Sequence, residues 1–165
     1  MTASYRTDKI QTLSFTYDFA VDGGATGTLT CPLAIPDNAI VVDAWVDVLS
    51  AVTSGTSAAT VALSTGQGAG DLIAAIAVSG APFSTTGIKG TLATFPNLGA
   101  DAAHDSALEG IALVAGTKIK MTANNKPTVV IAVEAVTGGK FEVFLRYFIG
   151  QKKKKKYNLG AGRFY

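Results

Sequence analysis

Two carboxylates flank the single tryptophan of this chain in Asp43-Ala-Trp45-Val-Asp47. On a β-strand, where side chains alternate, Asp43, Trp45 and Asp47 share one face. An indole between two acids is a platform on which a sugar ring can stack. A carboxylate pair is also the acid and base of glycoside hydrolysis. The spacing argues against hydrolysis, because i and i+4 on a strand lie roughly 13 Å apart and glycosidase pairs need less than about 10 Å. An outer sheet face used in a subunit contact, with Trp45 as anchor, accounts for the same residues without chemistry. Contact is the favoured reading, and glycan binding stays open beside it.

Other reactive residue types are sparse. His104 is the only histidine, set in Asp101-Ala-Ala-His104-Asp105. A serine hydrolase would need a Gly-x-Ser-x-Gly elbow, which the chain lacks. One histidine with loop carboxylates is a poor zinc site when no second histidine exists, so a surface loop is the better reading. Gly66-x-Gly68-x-Gly70 follows a strand-like run, but dinucleotide binding needs its third glycine at position 71, which is Asp71. It reads as a flexible loop. Cys31, the only cysteine, sits before Pro32 and reads as a buried structural thiol. No catalytic, cofactor or metal residues emerge, and the chain is expected not to be an enzyme.

Charge is unevenly placed. Residues 1–150 hold eight Lys and Arg against all twelve Asp and Glu, a formal −4. The last fifteen residues hold Lys152, Lys153, Lys154, Lys155, Lys156 and Arg163 with no acid, a formal +6. Tyr157, Leu159, Phe164 and Tyr165 add apolar anchors, and Gly160 and Gly162 allow bending. A lysine run binds phosphates in many nucleic-acid proteins. Interleaved aromatics and glycines suit an arm clasping another subunit better, so nucleic acid is the less favoured partner.

At 165 residues with 16% charged side chains, the chain is expected to form one domain with a modest surface charge. Such a composition suits flat sheets in wide contact with other protein. No run approaches 18 apolar residues, so no membrane-spanning helix is expected. Nor does the N-terminus show a signal-peptide pattern. Residues 1–10 read as an N-terminal arm, 11–150 as the β domain and 151–165 as the basic C-terminal arm.

Short alternating runs dominate the middle. Leu13, Phe15, Tyr17 and Phe19 fall on one face of a first strand. Gly27 to Leu33 is a second. Ala39 to Leu49 is the strongest, with Ile40, Val42, Ala44, Val46 and Val48 expected on one side and Val41, Asp43, Trp45, Asp47 and Leu49 on the other. Ala58 to Ser64 is a further strand. Asp71 to Val78 suits either a short helix capped by Asp71 or an edge strand. Residues 79–116 read as a long loop with one or two short strands, of the kind that is either functional or ordered by a partner. Lys118 to Ala123, Thr128 to Val136 and Lys140 to Ile149 close the pattern, with Thr137-Gly138-Gly139 as a hairpin turn. Both faces of the last strand carry aromatics. Strands at this spacing predict an all-β β-sandwich, in jelly-roll form for a chain this size.

Several stretches resemble small tailed-phage virion proteins. They are Ile35-Pro-Asp-Asn-Ala-Ile-Val-Val-Asp-Ala-Trp-Val-Asp-Val, Ala59-Thr-Val-Ala-Leu-Ser-Thr-Gly66, Asp71-Leu-Ile-Ala-Ala75, Thr128-Val-Val-Ile-Ala-Val133 and Gly139-Lys-Phe-Glu-Val-Phe-Leu-Arg-Tyr147. The resemblance spans Ile35 to Tyr147 and leaves out the basic tail. It implies a capsid decoration, or cement, protein. Such a protein would be a homotrimer on the capsid outer surface of the virion, with the major capsid protein as partner.

Overall fold

A computed structural model describes residues 9–89 and 119–149. In chain order the elements are β1 (Gln11–Asp18), one helical turn α1 (Phe19–Asp22), β2 (Gly27–Thr30), β3 (Ala39–Ser54) and β4 (Thr60–Ser64). They continue as β5 (Ile73–Ala77), β6 (Gly87–Lys89), β7 (Ile119–Lys120), β8 (Thr128–Ala132) and β9 (Val136–Ile149). Two antiparallel sheets result. The first runs β1-β9-β3-β6, with β7 also pairing β3; the second runs β2-β8-β4-β5. The fold is an all-β sandwich. Its partners nest: β1 with β9, β2 with β8, β3 with β6 and β7, β4 with β5. No helix among the described residues is long and apolar enough to cross a membrane.

The core lies between the inner faces. Leu13 and Tyr17 of β1, Val46 and Val48 of β3, and Phe141, Val143 and Leu145 of β9 face Val61, Leu63, Val129 and Ile131 of the second sheet. Each large side chain so buried contributes about 1.5–3 kcal/mol. Phe141 is the hub, with ring centroids 5.0 Å from Tyr17 and 5.2 Å from Phe83. The Tyr17 hydroxyl still finds a partner, donating to the Gly23 carbonyl at 2.9 Å.

Three expectations need correction. The inward face of β3 begins with Ala39 and Val41, not Ile40 and Val42. A bulge between Val41 and Asp43 flips the alternation, because one extra residue shifts every later side chain to the other face. From Ala44 onward the expected phase holds. Of the two readings of Asp71 to Val78 the edge strand holds, as β5 at the border of the second sheet, and the Asp71 carboxylate works on the preceding loop. It accepts from the Thr65 backbone N–H at 2.7 Å, the Thr65 hydroxyl at 2.5 Å and the Gly68 N–H at 3.3 Å. The glycine loop is therefore stapled, and Gln67 ties it to Lys120 and Thr122.

Finally, Thr137-Gly138-Gly139 is no hairpin turn. It lies inside β9 beside the far end of β3. A Cβ on Gly139 would come within 2.6 Å of Val52 Cα, so glycine permits close backbone approach there. The chain instead turns at Val133, whose φ of 70° is costly for a β-branched residue. Glu134 holds this turn. Its carboxylate accepts from the Thr56 N–H at 2.9 Å, the Thr56 hydroxyl at 3.0 Å and the Ala58 N–H at 3.2 Å. Hydrogen bonds from the Ser54 and Thr56 hydroxyls, then from backbone N–H groups, hold its pKa below the ordinary value of 4.5.

Candidate functional site: the outer face of the first sheet

β3 and β9 are the longest strands and lie side by side at the centre of the first sheet. Their register sets the outer face. Asp43 stands opposite Arg146, Trp45 opposite Phe144, and Asp47 opposite Glu142. Residues directly opposite in an antiparallel pair project to the same side. Three rows therefore succeed one another along the face: an ion pair, an aromatic pair and two carboxylates.

Each row has its own physics. Arg146 meets Asp43 at 3.8 Å, a long contact on a solvated face that contributes little to stability. Trp45 and Phe144 stack with centroids 5.1 Å apart and planes 8° from parallel. Such pairs are worth about 0.5–1.5 kcal/mol beyond area burial. Asp47 and Glu142 form a like-charged opposing pair, an arrangement that opposes sheet formation. Beyond Asp47 the edge residue Ile88 is 70% exposed. On the other side of β9, Lys140 binds Asp18 at 2.8 Å. That lysine and then the Ala20 N–H hold the Asp18 carboxyl below its ordinary value of 3.8.

Alternation along the sequence puts Asp43, Trp45 and Asp47 on one face, and the register agrees. It does not reveal that Phe144 covers one side of the indole, or that Glu142 and Arg146 answer the two aspartates. Alternation also groups Glu142, Phe144 and Arg146 on β9; only the pairing of two strands separated by about ninety residues joins the sets. With Asp43 engaged by Arg146, the pair Asp43 and Asp47 is further from a hydrolytic couple. Lys152, Lys153, Lys154, Lys155, Lys156, Tyr157, Arg163, Phe164 and Tyr165 lie outside the described residues, as do residues 1–8, 90–118 and His104.

A concavity of about 100 Å³ opens at the sandwich edge, lined by Phe15, Tyr17, Leu29, Cys31 and Val129 among others. Cys31 is buried there as a free thiol. Burial, then the charges of Asp22 and Asp18, push the Tyr17 phenol up to about 12. Among the described residues, no group of three or more His, Cys, Asp or Glu could hold a metal ion.

No family model matches the chain, and no curated protein matches it. Solved structures do. A chain in the acid-stable capsid structure of Helicobacter pylori bacteriophage KHP30 aligns with TM-score 0.54 at 12% identity, covering 86% of this chain and 89% of its own. A chain of the cyanophage Pam1 capsid asymmetric unit aligns with TM-score 0.53 at 16% identity, covering 91% and 93%. One in the capsid of Ralstonia phage GP4 gives 0.54 at 16%, covering 92% of each. This chain shares its fold with chains from phage capsids. At such identities the likeness concerns the fold, and it extends over nearly the whole length of each partner.

Proposed function

We propose that this protein is a structural component of a phage virion, and specifically a decoration (cement) protein on the outside of the head. The observation that carries the proposal is the near end-to-end likeness to three phage-capsid chains. The nested strand order supports it, since we read that order as a jelly roll, a fold used by viral capsid domains. The proposed role is adhesive rather than catalytic. A homotrimer would present three weak contacts to the major capsid protein, and linkage would convert them into tight binding through effective concentration. Closed rotational symmetry is the usual form of such assemblies.

Within this reading the Trp45 face is a protein contact, and residues 151–165 are a clamp. Phe144 already occupies one side of the indole, which favours contact over sugar stacking. Sedimentation equilibrium of the purified protein tests the assembly: a trimer is expected, and a monomer at all concentrations would contradict it. Titration with naked DNA separates the alternative for the lysine run. A salt slope that steepens with each neutralised phosphate would move the arm's partner from protein to nucleic acid.

A further inference from the structure

Three features follow one another in a fixed order along the outer face of the first sheet. In the direction of β9, the opposed carboxylates Glu142 and Asp47 come first, the stacked Phe144 and Trp45 second, and the Arg146–Asp43 pair third. Successive rows are two residues apart, roughly 6.6 Å by the usual strand rise. Neither Asp47 nor Glu142 makes an ion pair or hydrogen bond among the described residues. Two like charges held opposite each other, beside an aromatic pair, present a surface that a cation followed by an aromatic would complement.

The chain itself contains that complement. Lys152 to Lys156 run directly into Tyr157. With Lys155 at the carboxylates, Tyr157 falls two residues on, at the aromatic pair, provided the segment runs in the same direction as β9. We propose that the outer face of the first sheet receives the segment Lys152–Tyr157 of a second copy of this chain. This deepens the reading of the basic arm as a clamp between subunits and rests on it.

Direction is what makes the contact intermolecular. A segment leaving β9 after Ile149 and folding back over its own sheet runs opposite to β9. It would meet Phe148 and Arg146 before the carboxylates. Glu142 lies seven residues back from Ile149, and Lys156 lies seven residues beyond it. Even with no residue spent on the reversal, only the last lysine would arrive, and the first of the run, Lys152, would lie over Arg146. A neighbour's arm approaches without that constraint.

A charge swap tests the contact on full-length protein without capsids. One variant carries Asp47→Lys with Glu142→Lys; the other carries glutamate at all of 152–156. Sedimentation velocity at low ionic strength should show each variant alone associating about tenfold or more weakly than wild type. Mixed one to one, they should regain association, because each arm then finds a face of opposite charge. A mixture that stays as weak as its parts would overturn the proposal, as would single variants that associate like wild type. A face variant that fails to fold leaves the arm variant decisive: undiminished self-association with a reversed arm refutes the contact. Failure here would leave binding to phage heads intact, so the two readings fail separately.

Discussion

The two outer faces of this sandwich are built from different alphabets. The strands of the second sheet, β2, β4, β5 and β8, contain no charged residue and no aromatic, only Gly, Ala, Ser, Thr, Val, Leu and Ile. Among the described residues, all the charges carried on strands belong to the first sheet: Asp18, Asp43, Asp47, Lys89, Lys120, Lys140, Glu142 and Arg146. Both sheets share one core, and the one helix among the described residues is a single turn. Folding therefore does not demand the difference. A sheet needs only one apolar face, and the second sheet meets that need with small residues on the other. The first sheet carries an aromatic stack and an unfavourable like-charge pair, features that suit recognition better than stability.

The largest difference between the faces should come from truncation. Trp45→Ala removes a half-buried ring and its stack on Phe144 and should cost about 1–2 kcal/mol in urea unfolding. Val130→Ala, at a comparable position on the second sheet, should cost less than about 1 kcal/mol. Equal costs would erase the distinction between the faces.

Acid and base should divide the molecule next. The depressed carboxyls of Asp18 and Glu134 contribute stability that is present above their ordinary values of 3.8 and 4.5 and is lost as pH falls below them. Glu134→Gln should lower the melting temperature at neutral pH and flatten the acid limb of a thermal-melt series, the difference from the unchanged protein shrinking as pH falls. Tyr17 works in the other direction. Its phenol is raised to about 12, so its contribution is complete below pH 10 and declines as pH rises toward about 12. Tyr17→Phe should remove that decline, and a phenolate absorbance titration locates it.

How much of this was legible follows from what kind of information each feature needs. Alternation in β1 correctly sent Leu13 and Tyr17 inward, because a half-buried strand records its faces locally. In β3 the same rule failed for Ile40 and Val42, since a bulge leaves no mark in composition. Gly138-Gly139 read as a turn because glycine serves both turns and close approaches; only the packing of Val52 tells which. Trp45 was recognisable between Asp43 and Asp47 on one strand face, but its stacking partner Phe144 was not, because register between distant strands is set by the whole sheet. The basic run was plain from charge alone, while the opposed carboxylates Asp47 and Glu142 needed that register.

The smallest effect is also the sharpest for the comparison. Asp47→Asn relieves the repulsion with Glu142 and should raise stability by about 0.2–1 kcal/mol. If the face receives a neighbour's lysine arm, that same variant self-associates more weakly than wild type. A gain in stability with a loss of contact would mark the first sheet's outer face as built for a partner. A gain in both would make it an ordinary surface.

The decisive experiment is co-sedimentation with purified phage heads that lack this protein, comparing the full chain with one ending at Gly150. The full chain should pellet with the heads to a saturating stoichiometry, while the shortened chain keeps a cooperative thermal melt but pellets poorly. A full chain that stays in the supernatant would contradict the capsid reading. Equal pelleting of both chains would contradict the clamp.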